Sequence, residues 1–350
     1  MDFNDLLEKF KWTDFEEYIK EEREKLERNV DLLVKARRKF REKILSIDNI
    51  DDRLFQVDEK YFKRAVEELR RGEVTGVDGT ISFYPTPVGY WCRIGVVAVN
   101  YMGERLNKIV YISDAQLIDT ALDNIGEFLK NVEELNRYTP LLYRALMFYK
   151  EREIALDRGE KWKIVHGPLI PLEMRLGRLG VGGVLETNLK LAEKIVENRH
   201  IMGVLSSTRR LRILNLGYVL ENGEYLKISD LGSLLISEIR RAPEEERALI
   251  EDFVEEYGDK VFVGIYKAFN KAYVFEASRE FFREAAHILY ADSLNNPAKG
   301  FPMLIDYADS LCKTLVNPED FKRKLEYELL KKEGYKAFQA LDERRLRWSH

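Results

Sequence analysis

Two short segments carry the residues best suited to do chemistry. Val77-Asp78-Gly79 opens one β-rich run and Val165-His166-Gly167-Pro168-Leu169 closes another, so an imidazole stands in the second where a carboxylate would match the first. A carboxylate presented by a strand is a hard oxygen donor for Mg²⁺ or Mn²⁺, and two-metal phosphoryl chemistry needs several such groups converging from different elements. Asp78 is a good first donor of that kind. An Asp-Gly pair is also a common turn, so the dipeptide alone reads as structure too.

The elements that must position these residues follow from periodicity. Ile81–Tyr84, Tyr90–Val99 and Lys108–Ile112 are rich in β-branched and aromatic residues and are separated by Gly, Pro and Asn, which predicts three consecutive antiparallel strands. Helical patterns follow at roughly 115–136 and 140–158, the second opened by Thr139 as a cap and Pro140 in its first turn, before the short strand 162–166. After Gly180, Gly182 and Gly183, a helix near 187–199 leads to a strand at 201–205 and then to the basic turn Arg209-Arg210-Leu211-Arg212. Residues 260–266 and 272–276 read as a strand pair, and 278–291, 302–313 and 318–333 as helices. This order predicts an α/β domain with a mixed β-sheet flanked by helices.

Ahead of that domain, residues 14 to about 72 read as helical and polar, entered through the capping-box pair Thr13 and Glu16. Ile19, Leu26, Leu33 and Phe40 recur every seven residues, joined by Val30 and Ile44, and form one narrow apolar stripe. Such a stripe packs on the protein's own body or makes a dimer contact, and both remain open. The polar face with Lys35, Arg37, Arg38, Lys39 and Arg41 reads as solvated surface ahead of a DNA site. The expected division is an N-terminal helical arm over 1–72 and the α/β domain, with a helical C-terminal end, over 73–350.

Composition bounds the function classes. A chain of 350 residues with 45% hydrophobic content buries a substantial core and is not a disordered protein. No run reaches the roughly 18 apolar residues of a bilayer span, and the start Met1-Asp2-Phe3-Asn4-Asp5 is acidic, so a cytoplasmic protein is expected. Cys92 and Cys312 have neither metal-ligand spacing nor a disulfide framework, which fits a reducing compartment. Charged residues make up 34% of the chain while Gln56, Gln116 and Gln339 are its only glutamines, a usage like that of thermophile proteins. With a net charge of −4, any nucleic-acid contact must come from local basic patches. His200, His287 and His350 lack ligand spacing, and Gly180-Val181-Gly182-Gly183-Val184 is followed by no Gly-Lys-Ser/Thr, so a tight turn is its expected use.

Five segments in order carry a family resemblance: Val77-Asp78-Gly79-Thr80, Arg144-Ala145-Leu146-Met147-Phe148, Val165-His166-Gly167-Pro168-Leu169, Gly203-Val204-Leu205-Ser206, and Gly300-Phe301-Pro302-Met303-Leu304 followed by Ala308-Asp309. Over about residues 75–315 the chain resembles the NurA family, archaeal and bacterial nucleases of RNase H-like fold that act in DNA-end processing. The resemblance implies an RNase H-like sheet, a homodimer enclosing a DNA channel, and docking on a hexameric HerA-type ATPase that translocates DNA. Position by position, the family's first Asp falls on Asp78, its Glu on Phe148, its second Asp on His166, its Tyr on Phe301 and its His on Asp309. A lysine that the family carries near the third strand end falls on Ser206. Glu151 follows Phe148 by three positions and shares its helix face; Glu153 does not.

Two readings of these departures stand side by side. In one, His166 and Asp309 have exchanged roles, so Asp78, His166 and Asp309 are the metal ligands and Glu151 joins them as a fourth catalytic group. Imidazole then favours manganese, with magnesium as the alternative, and Arg209, Arg210 and Arg212 engage DNA phosphates. The chain would be a Mn²⁺-dependent DNA nuclease of end resection. In the other, the site has decayed, His166 is a hydrogen-bonded residue of a buried strand, and the basic turn is solvated or paired with the acidic helix at 244–256. The chain would then be a non-catalytic NurA-like subunit that binds DNA or the translocase and regulates an active partner.

Overall fold

The computed structural model describes residues 2–5, 14–47, 49–86, 89–117, 125–171, 183–206, 216–239 and 244–332. They fall into two compact units, Met1–Asp52 and Arg53–His350.

In the first unit, helix α1 (Phe15–Leu45) carries the heptad stripe, and Ile19, Leu26, Val30 and Leu33 along it are exposed. The predicted helix to about 72 is interrupted. Asn49 takes a left-handed φ of 60°, which an α-helix does not accommodate, and a 3₁₀ turn follows at Ile50–Asp52. Helix α2 (Glu59–Arg70) starts afresh in the second unit, where the Asp58 carboxylate accepts from the backbone N–H groups of Lys60 and Tyr61 as its N-cap.

The second unit is built on one nine-stranded mixed sheet: β1 (Leu54–Gln56), β2 (Val74–Thr86), β3 (Gly89–Asn100), β4 (Arg105–Ser113), β5 (Trp162–His166), β6 (Ile201–Leu205), β7 (Glu224–Asp230), β8 (Val261–Ala268) and β9 (Lys271–Ser278). Their spatial order is β1-β7-β8-β9-β6-β5-β2-β3-β4. β2, β3 and β4 form the expected antiparallel meander, while β5 and β6 join it in parallel. The helices α3 (Thr139–Asp157) and α4 (Val184–Asn198) make the crossovers that parallel pairing requires. An RNase H-like mixed α/β fold is what this topology gives. The paired strands β8 and β9 match the predicted pair, whereas β1 and β7 extend the sheet at an edge the sequence did not mark.

Helices at Asp114–Leu117, Ile125–Asn136, Leu231–Ile239 and Glu244–Tyr257 also belong to this unit, and helices α5 (Phe282–Ser293), α6 (Met303–Val316) and α7 (Pro318–Lys331) form its C-terminal end. Two glycines decide how α6 lies on the sheet. A Cβ at Gly76 of β2 would meet the Leu304 backbone at 2.7 Å, and one at Gly95 of β3 would meet Val316 Cγ2 at 2.6 Å. The other face of β2 receives α3, where a Cβ at Gly79 would lie 2.4 Å from Glu151 Oε1 and 2.8 Å from Met147 Cγ. Alternation along β2 therefore turns Gly76 and Asp78 toward α6, and Gly79 toward α3. Among the described residues, no helix is long and apolar enough to cross a membrane.

Candidate functional site

The parallel strands β2, β5 and β6 run side by side, and the ligand crevice of such a sheet lies beyond their C-terminal ends. Val77 pairs with Val165, and His166 with Val204, so the next residue of β2, Asp78, stands beside His166 on the same face. The contact is direct: His166 Nδ1 lies 2.9 Å from Asp78 Oδ1. On its other side, His166 Nε2 lies 2.9 Å from Ser206 Oγ, just past the end of β6. The three residues thus span from buried to open: Asp78 is 2% exposed, the His166 side chain 32%, and Ser206 is exposed.

Burial lifts the Asp78 carboxyl above its ordinary range, against the pull of the His166 hydrogen bond. Burial alone would lower the His166 pKa, but the hydrogen bond and charge of Asp78 outweigh it and raise it. A proton is therefore held firmly within the pair. The Phe301 ring packs edge-on to His166 at 5.6 Å between centroids and covers one side of the imidazole.

The opposite face holds a second buried network, electrostatically linked to the Asp78–His166 pair. Glu151 and Arg152 are both buried and ion-paired to each other. From there the Arg152 guanidinium reaches the turn after β5, donating through Nη2 to the carbonyls of His166 at 3.0 Å and Pro168 at 2.6 Å, and through Nε to that of Leu169 at 3.4 Å. Glu276 of β9 accepts from the Leu169 N–H at 2.9 Å. This turn crosses close over β6, where a Cβ at Gly203 would meet the Gly167 carbonyl oxygen at 2.6 Å. Burial pushes the Glu151 carboxyl up, Arg152 pulls it down, and Asp78 adds to the rise. Phe148, at the position where the family's Glu falls, packs its ring 5.3 Å from the Arg152 guanidinium carbon.

Asp309 of α6 contributes its charge to the Asp78 environment, yet its own hydrogen bond goes to Lys313 Nζ at 2.7 Å. The predicted Arg209, Arg210 and Arg212 lie outside the described residues. Missed by sequence reasoning were Arg152, which sits in a run of charged residues that reads as surface, and the Ser206–His166 contact, which no motif announces.

The residues as placed do not fit a divalent ion. Both His166 nitrogens are engaged, Glu151 is spent on Arg152 behind the sheet, and Asp309 on Lys313. Asp78 Oδ2 is buried without a hydrogen-bond partner, but among the described residues no group of three or more His, Cys, Asp or Glu side chains could hold a metal ion. His287 is a structural histidine, its Nδ1 on the Arg283 carbonyl and its Nε2 accepting from the Asp58 N–H.

No protein-family model and no curated protein matches the sequence. Among solved structures, the chain is similar to the NurA nuclease from Sulfolobus solfataricus, at 14% identity and a TM-score of 0.47 over 84% of this chain and 98% of that one. It is also similar to a NurA bound to dAMP and manganese, at 11% identity and a TM-score of 0.45 over 82% of this chain and 92% of that one. An endonuclease V from Bacillus subtilis is more distant, at 11% identity and a TM-score of 0.35 over 78% of this chain and 99% of that one.

Proposed function

We propose that this chain is a nuclease-like protein of the NurA type that engages DNA ends where β5 and β6 end beside Asp78 of β2, without a pair of metal ions. One observation carries the reading. Asp78 and His166, 88 positions apart and both assigned to one site by the resemblance, are in hydrogen-bond contact, while Glu151 and Asp309 are committed to cations of the protein itself. Arg209, Arg210 and Arg212, just beyond Ser206 in sequence, would supply phosphate contacts. The same resemblance supports a homodimer working with a HerA-type hexameric translocase, which co-purification of the two proteins tests.

A second reading, a manganese-dependent nuclease, is favoured by the unpartnered Asp78 Oδ2. Binding and cleavage of end-labelled single- and double-stranded DNA by wild type and Asp78→Ala separate the two. Binding that persists in EDTA, with no cleavage stimulated by Mn²⁺, is expected. Mn²⁺-stimulated cleavage lost in Asp78→Ala would establish the second reading, and failure to bind either DNA would refute the first.

A further inference from the structure

Asp78, His166 and Ser206 are connected as an acid, a base and a hydroxyl must be for nucleophilic catalysis. With Asp78 ionised and the imidazole neutral, the carboxylate accepts from His166 Nδ1–H at 2.9 Å, and Nε2 is then the acceptor facing the Ser206 hydroxyl at 2.9 Å. Nucleophile, base and orienting group thus lie in sequence, each within hydrogen-bond reach of the next. The hydroxyl stands at the exposed end, where a substrate can reach it. Arg152 holds the His166 carbonyl and the following turn from behind the sheet, so the imidazole sits on a fixed backbone.

We infer that Ser206 is a nucleophile activated by His166, with Asp78 as its positioning residue, and that its substrate is a phosphodiester cleaved without a metal ion. The choice of phosphodiester rests on the DNA-binding reading; the nucleophile does not. Among the described residues, the backbone amides of the turn after His166 are already engaged, the Gly167 N–H donating to Val204 and the Leu169 N–H to Glu276. A phosphodiester brings its own negative charge, and the exposed Lys313 lies close enough to interact electrostatically with Asp78.

In the first step the Ser206 Oγ–H proton passes to His166 Nε2 as the Oγ–P bond forms and the P–O bond to the leaving group breaks. His166 returns the proton to the departing alkoxide, leaving a phosphoseryl ester. Water then attacks phosphorus, its proton goes through Nε2 to Ser206 Oγ, and the Oγ–P bond breaks. One water is consumed and no oxidant or metal takes part.

The test uses the full chain in EDTA with a fluorophosphonate, whose P–F bond breaks as Oγ–P forms. One adduct is expected, mapped by peptide mass spectrometry to Ser206 and absent from Ser206→Ala, an exposed substitution that leaves the fold intact. His166→Gln and Asp78→Asn are expected to slow labelling by about 10²-fold or more, and Asp78→Asn to remove the low-field His166 Nδ1 proton resonance. No adduct, an adduct elsewhere, or unchanged labelling in His166→Gln overturns the nucleophile. Hydrolysis of bis(4-nitrophenyl) phosphate, lost in Ser206→Ala, supports the substrate class. Turnover of 4-nitrophenyl butyrate alone, or of neither ester, overturns that class. Ser206 labelling in a protein that fails to bind DNA separates an error in the DNA reading from an error in the relay.

Discussion

Arg152 illustrates how much of the site is held by one residue that touches none of its open side. Its guanidinium is fully buried, paired with Glu151, and donates to three carbonyls of the turn that carries His166. Removing one partner of a buried pair leaves the other charge uncompensated, so Arg152→Met is expected to cost about 3–5 kcal/mol in urea unfolding, and Glu151→Leu combined with it to recover part of the loss. Asp292 offers a pH test of a different kind. It is buried, accepts from Tyr101 Oη at 2.5 Å and from the Leu304 N–H at 3.0 Å, and burial raises its pKa to about 6. A carboxyl whose folded pKa exceeds its unfolded value binds protons more tightly when folded. Its contribution is therefore fully present below the unfolded value near 4 and lost as pH rises through about 6. Thermal melts between pH 4 and 7 should show that slope, and Asp292→Asn should flatten it.

Among the elements, the packing of α6 on the sheet depends on two glycines. Because a side chain at Gly76 would strike the Leu304 backbone, Gly76→Ala must push the helix that carries Asp309 off β2. Overpacking of this kind costs roughly 1–3 kcal/mol, and the urea midpoint should fall accordingly. The meander β2–β4 and the strands β5, β6, β8 and β9 were legible in sequence because β-branched runs bounded by turn residues mark buried strands. β1 and β7 were not, since a three-residue strand and one reading Glu-Tyr-Leu-Lys-Ile-Ser-Asp carry little period. The same physics divides the site. Asp78 lies inside the apolar strand β2 and His166 ends β5, so both stand out there, whereas Glu151 and Arg152 lie in Lys150-Glu151-Arg152-Glu153, a run that looks solvated until the sheet covers it. The Asp78–His166 register was visible only as a resemblance between two segments, because strand pairing at long range leaves no local mark.

At the scale of the whole molecule, the relay, the Glu151–Arg152 network and all nine strands belong to the Arg53–His350 unit. A unit of about 300 residues buries roughly 75% of the surface its unfolded chain exposes, ample for independent stability. Residues 1–52 contribute none of these groups and instead carry an exposed apolar stripe on α1. A stripe repeating every seven residues on a helix of 31 residues is suited to packing against a second helix. Deleting residues 1–52 is therefore expected to separate folding from assembly. The shortened chain should keep a cooperative melt within about 5 °C of the full chain, a shift that corresponds to roughly 3 kcal/mol in a domain of this size. If α1 holds the proposed homodimer together, sedimentation velocity should show a dimer for the full chain and a monomer after the same deletion. Loss of the cooperative melt would mean that the sheet depends on the first unit, and an unchanged dimer would put the contact elsewhere on the second.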